Sequence, residues 1–183
     1  MEIASQRRLP IDRESVWRAL NDPQILKAAI PGCQSIEREA DNEYALVVAA
    51  ALGPVRATFR GRLRVEDMVA PERYTLRFEG QGGAAGFAKG AAKVALTEEA
   101  GETLLSYQVS AQVGGRIAQV GSRLIDSAAM KLADDFFAAF ASQVAPAATS
   151  IKSEPKKQGI PPVGLVSLAI GALVVLVLIL VLR

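Results

Sequence analysis

Residues 163–182 are twenty consecutive Val, Leu, Ile, Ala, Gly and Ser residues, and no charged residue occurs anywhere from 158 to 182. As a helix this stretch is about 30 Å long, the thickness of a bilayer's hydrocarbon core. It neither alternates nor offers a polar face, so a small soluble domain could not cover it on every side. A single transmembrane helix over 163–182 is therefore expected. The segment before it, residues 146–162, is rich in Pro, Ser and Lys and reads as an extended tether that ends at Pro161-Pro162. Lys152, Lys156 and Lys157 lie on the near side of the span and Arg183 alone on the far side. That lysine excess predicts a cytoplasmic position for whatever folds from residues 1–145.

The net charge of +2 is unevenly distributed. Residues 1–150 hold 17 basic and 18 acidic groups, whereas residues 151–183 hold 4 basic and 1 acidic. A body this close to neutrality lacks the basic stripe that nucleic acid requires, so no nucleic-acid partner is expected. Histidine is absent, which removes the commonest general base and nitrogen ligand. Cys33 is the one cysteine, so an intrachain disulfide is excluded and no imidazole is available to activate the thiol. No metal site and no catalytic residue are expected. The start of the chain, Met1-Glu2-Ile3-Ala4-Ser5-Gln6-Arg7-Arg8, is charged with no apolar run behind it and does not read as a secretory signal.

Within the body, residues 2–9 read as a strand. Asp12 is an N-cap before a helix over 13–20, and Asp22-Pro23 starts a second short helix stopped by Pro31-Gly32. The period then changes to two. Strand-like runs over 34–40, 43–52, 54–67, 72–80, 87–98 and 102–113 are separated by turn signals. The clearest runs from Val55 to Val65: Arg56, Thr58, Arg60, Arg62 and Arg64 alternate with apolar or small residues, giving one wet face and one buried face. Residues 116–144 supply a cover, with Ile117, Val120, Leu124, Ala128, Leu132, Phe136, Phe140 and Val144 recurring at three and four. The predicted class is α+β: a curved antiparallel sheet of about seven strands, two short helices and a long terminal helix, the helix-grip arrangement, followed by the membrane helix.

A sheet curved around one helix can enclose a cavity. Ala57, Gly61, Gly90, Ala92, Ala111, Gly121 and Ala128 are small, with Phe59, Phe78 and Phe87 among them. Periodicity alone leaves two readings open: tight packing against the helix, or an apolar cavity for a hydrophobic molecule.

The order Val16-Trp17-Arg18-Ala19-Leu20-Asn21-Asp22-Pro23, Ile30-Pro31-Gly32-Cys33, Gly53-Pro54-Val55 and Pro71-Glu72-Arg73-Tyr74 resembles the CoxG family of CO dehydrogenase subunits. So do residues 82–90 and 111–124. The family is a branch of the START and Bet v 1-like (SRPBCC) superfamily, and the resemblance covers about residues 1–143. Ala4 stands where relatives often have glycine. The resemblance implies a non-catalytic accessory protein, partnered with a cytoplasmic molybdenum-containing CO dehydrogenase-type hydroxylase at the bacterial inner membrane. It also implies a lipid-like ligand, for which a respiratory quinone, menaquinone or ubiquinone, fits an apolar pocket; no covalent cofactor is implied. The ligand contacts expected on this basis are Phe59, Phe78, Gly82, Gly83, Phe87 and Gly90 on the sheet side. On the helix side they are Gly121, Leu124, Ala128 and Leu132. Residues 82–90 are expected to border the cavity entrance and Gly114-Gly115 to turn the chain into the long helix. Two alternatives remain: a ligand-free docking adaptor using the row Arg56, Arg60, Arg62 and Arg64, and an enzyme using Glu66, Glu79 and Asp126.

Overall fold

The computed structural model describes residues 1–52 and 55–150, with side chains placed through Val144 except that of Leu52. The membrane helix expected over 163–182 and the tether over 151–162 lie outside these residues, as does Gly53-Pro54. Among the described residues no helix is long and apolar enough to cross a membrane.

The chain opens with strand β1 (Glu2–Leu9), then helices α1 (Arg13–Leu20) and α2 (Pro23–Ala29). Both helices begin as their sequences dictate. The Asp12 carboxylate accepts the Ser15 amide at 2.8 Å, and Asp22 accepts that of Gln24 at 2.8 Å with Pro23 in the first turn. Six further strands follow: β2 (Cys33–Ala40), β3 (Glu43–Leu52), β4 (Val55–Val69), β5 (Arg73–Gln81), β6 (Phe87–Glu99) and β7 (Glu102–Gly114). They form one antiparallel sheet in the order β1-β7-β6-β5-β4-β3-β2. The β6–β7 hairpin turns on Ala100 and Gly101, both at positive φ, a two-residue geometry that matches the twist of the strands it joins.

Alternation sets the sheet's two faces. In β4, Phe59, Gly61, Leu63 and Val65 are buried while Arg60, Arg62 and Arg64 are exposed, and Tyr74, Leu76 and Phe78 continue the buried side on β5. The cover is helix α3 (Ser122–Ser150). Its buried face, Ile125, Ala129, Leu132, Ala133, Phe136, Phe140 and Val144, recurs at three and four.

Two details differ from expectation. Residues 116–120 form a 3₁₀ turn, and Gly121 at φ 95° separates it from α3, so the helix starts at Ser122 rather than 116. This break rotates the first turns: Ile125 and Ala129 face the sheet, whereas Leu124 is 44 % exposed and Ala128 half-buried. From Leu132 onward the expected stripe holds. At the other end the helix continues through Ser150, five residues into the stretch read as tether.

Most of the space beneath α3 is filled. Phe59, Phe136, Phe140, Leu46, Leu63, Leu76, Leu105 and Leu132 are all less than 2 % exposed. Phe136 packs edge-on against Phe137 at 5.1 Å and stacks with Phe140 at 5.6 Å, while Tyr107 stacks on Phe137 at 5.9 Å.

Candidate functional site

Where β3 and β4 approach their hairpin, the inward positions shrink. Ala50 stands opposite Ala57 in register, immediately after the pair Val48 and Phe59. Two alanines cannot fill the gap between sheet and helix, and a recess of about 530 Å³ opens there. Its walls are Ala49, Ala50, Ala51 and Ala57 of the hairpin, Pro31 and Gly32 of the turn into β2, and Leu132 of α3; Arg56 and Thr58, which alternate onto the open face of β4, border it at the hairpin. The volume falls within the range of small-molecule sites, about 300–1,000 Å³, and an apolar lining with few polar groups is their usual character.

Gly32 fixes one wall. Its φ is +74°, its carbonyl accepts the Ala49 amide at 2.9 Å, and a β-carbon there would lie 2.2 Å from the Ala49 carbonyl oxygen. Any side chain at this position would push the turn off β3 and reshape the recess. Cys33 follows directly. Burial is the main cause that pushes its thiol above the ordinary value, partly opposed by the nearby Lys27 cation. The protonated thiol is a poor nucleophile, which agrees with a structural role for Cys33.

The predicted contacts divide into three groups. Leu132 lines the recess, and Ala128 and Leu124 follow it at four-residue intervals along α3, progressively more exposed. Phe59, Phe78, Gly82 and Gly90 do not line it. Phe78 and Gly90 form a cross-strand pair and Phe59 packs on Gly82 just beyond β5; in both a ring occupies a glycine's vacant side-chain position. A β-carbon on Gly82 would lie 1.8 Å from the Phe59 ring, and one on Gly90 would lie 2.7 Å from that of Phe78. Phe87 repeats the device with Gly114 but on the open face of the sheet, 39 % exposed, so it is displaced from the recess. Gly83 and Gly121 both have positive φ and open space beside them, and neither lines the recess.

Residues 82–90 therefore do not border the recess opening. Gly86, at φ +124°, lies so close to Gly114 that a β-carbon would come within 2.0 Å of its carbonyl oxygen, and Gly115 is packed as tightly on Gly86. The β5–β6 loop is thus closed, backbone to backbone, onto the turn that enters α3. Sequence reasoning missed Pro31, Gly32 and the Ala49-Ala50-Ala51 run as lining. That run opposite Ala57 was the available signal, since several alanines at a strand end leave a volume that nothing local fills.

The acids proposed for catalysis do not converge. Glu66 and Glu79 project from the open face, with Glu66 accepting from Arg77 at 2.6 Å, while Asp126 sits on α3 across the sheet. No cluster of three metal-ligating side chains exists among the described residues. Tyr44 and Tyr74 have buried hydroxyls without a hydrogen-bond partner among the described residues, and burial raises both phenols. Neither lines the recess. A larger hollow of about 740 Å³ lies on the open face, walled by paired charges such as Arg62 with Glu39 at 3.3 Å and Arg64 with Glu43. An apolar ligand there would desolvate these ions without replacing their partners. Two members of the expected arginine row are thereby neutralised in place.

Comparisons with known proteins agree with this architecture. A conserved protein from Geobacillus kaustophilus is 30 % identical and superposes with a TM-score of 0.77, covering 80 % of this chain and 97 % of its own. A START superfamily protein from Mycobacterium smegmatis is 12 % identical with a TM-score of 0.61, covering 80 % and 98 %. TTHA0849 from Thermus thermophilus is 16 % identical with a TM-score of 0.56, covering 80 % and 99 %. The last two establish the fold alone, a START-like one. A search of the curated proteins finds no match. The family described as the CoxG subunit of carbon monoxide dehydrogenase matches residues 6–145, the whole of the sheet except the start of β1 and nearly all of its covering helix, and the chain belongs to that family.

Proposed function

We propose that this protein is a non-catalytic accessory subunit that binds a lipid-like molecule, a respiratory quinone, in the recess beneath α3. In this reading residues 163–182 hold it in the bacterial inner membrane, and the domain brings a cytoplasmic molybdenum-containing CO dehydrogenase-type hydroxylase to the bilayer. The observation that carries the reading is an apolar recess between sheet and helix in a CoxG-family domain. Ala50, Ala57 and Leu132 suit a hydrocarbon, and Arg56 and Thr58 border the recess where the hairpin meets solvent. Confining the domain near the bilayer would raise the effective concentration of a membrane-dissolved ligand. The non-enzymatic assignment is supported by acids that stand on opposite sides of the sheet and a Cys33 thiol held protonated.

The test is solvent extraction and mass spectrometry of the full chain purified from bacterial membranes under quinone-retaining conditions. An isoprenoid quinone should accompany the wild type, and Ala57→Leu, which fills the recess, should reduce it by about tenfold, a loss of about 1.4 kcal/mol in binding. A different lipid in its place would remove the quinone and keep the recess. A wild-type extract free of both would reject the reading.

A further inference from the structure

We propose that the recess end of the domain is itself a docking face for an anionic bilayer surface, so that the recess opens against lipid rather than into bulk water. This goes beyond the function proposed above, in which residues 163–182 alone hold the chain to the membrane.

The sheet register defines that end. Arg60 pairs with Gln81, Gln81 with Phe87 and Phe87 with Gly114, a row running across four strands. From this row outward lie Arg56 on the hairpin, Arg116 in the 3₁₀ turn and Arg123 in the first turn of α3, all exposed. None of these three, nor Arg60, takes part in an ion pair among the described residues. Lys27, close enough to act on the Cys33 thiol, adds a further exposed cation. The nearest opposing acid on α3, Asp126, is half-buried. Elsewhere most arginines are matched, Arg8 with Glu99 and Glu102, Arg38 with Asp41, Arg62 with Glu39, Arg64 with Glu43 and Arg77 with Glu66; Arg18 and Arg73 are the exceptions among the described residues.

Apolar groups accompany the free cations. Of four large hydrophobic side chains that stand exposed among the described residues, Phe87 and Leu124 belong to this end. Leu124, Ala128 and Leu132 make a line on α3 that passes from solvent to the recess wall. Unpaired arginines beside exposed Leu and Phe are what an anionic lipid surface selects. The cations meet phosphates, and the apolar side chains enter the headgroup boundary. An acidic protein would satisfy the charges but leave Leu124 and Phe87 without apolar partners, which is why the bilayer is the occupant assigned.

The experiment uses the full chain in vesicles, in a Cys33→Ser background carrying an environment-sensitive fluorophore at Leu124→Cys or, as reference on the distant α1, at Glu14→Cys. In mixed phosphatidylglycerol and phosphatidylcholine the probe at 124 should shift to the blue and be quenched by brominated lipid, whereas the probe at 14 should not. Each of Arg56→Glu and Arg123→Glu should lower the docked-to-free ratio about fivefold or more, while the lysine versions keep docking. Retention of the wild-type melting temperature excludes unfolding as the cause. The proposal is overturned if the probe at 124 is as wet as that at 14. Equal quenching in pure phosphatidylcholine, indifference to charge reversal, or a chain that stays in the vesicle-free supernatant would overturn it as well.

Discussion

The two ends of the sheet are built on opposite plans. At the end that carries α1, side chains occupy the available volume: Trp17 packs edge-on against Tyr74 at 5.5 Å, and the buried Thr103 hydroxyl donates to the Ile11 carbonyl at 2.7 Å. Several surface ions there are matched, Arg8 with Glu99 at 2.9 Å and Arg38 with Asp41 at 2.5 Å, while Arg18 and Arg73 make no ion pair among the described residues. At the recess end the chain approaches itself through glycine and alanine, and its arginines stand without ion-pair partners among the described residues. Side-chain packing makes one end rigid, whereas close backbone contacts shape the other around a space. The difference teaches that small residues in this fold have two uses: some are filled by a neighbour's ring, as Gly90 is by Phe78, and others leave the volume open, as Ala57 does.

Three substitutions sharpen or break this contrast. The largest effect is expected for Phe136→Ala, which empties a fully buried site among Phe137 and Phe140 and should cost about 4 kcal/mol in urea unfolding. Gly86→Ala should come next, at about 3 kcal/mol in the same assay, because its β-carbon collides with backbone rather than a movable side chain. If Gly86→Ala were neutral, the claim that the recess end is held by backbone contact would fail. The smallest effect is that of Asp12→Ala, which deletes the α1 cap and should cost about 1 kcal/mol.

Asp12 also gives a pH signature. Hydrogen bonds from the Ser15 side chain and then its amide hold the carboxyl below its ordinary value of 3.8. A lowered folded pKa adds stability that is complete above the unfolded value and is lost as pH falls through the folded one. The gap between wild type and Asp12→Ala should therefore be full at neutral pH and shrink below about pH 3.8 in acid unfolding. A gap unchanged at pH 2 would show that the carboxylate is not the cap.

The fold was largely legible in the sequence because its signals are local. Alternation in β4 needs only the pleat, and Asp12 and Asp22 need only the amides two or three residues on. The start of α3 was misread because Ile117 and Val120 keep helical spacing across a break that Gly121's positive φ imposes. The site was far less legible. Whether a glycine faces a cavity or a phenyl ring depends on the register between strands, and Phe59 with Gly82 looks no different in sequence from Ala50 with Ala57. The arginine row showed the same limit, since Glu39 and Glu43 reach Arg62 and Arg64 from neighbouring strands.

Because α3 persists to Ser150, only residues 151–162 separate it from the apolar stretch that begins at 163. Twelve residues cover at most about 40 Å however they are arranged. Under the proposal that residues 163–182 sit in lipid, the domain would be a short-leashed sentinel. Its working radius would then be comparable with the length of its own covering helix, and the proposed partner enzyme would have to come within one domain's breadth of the membrane.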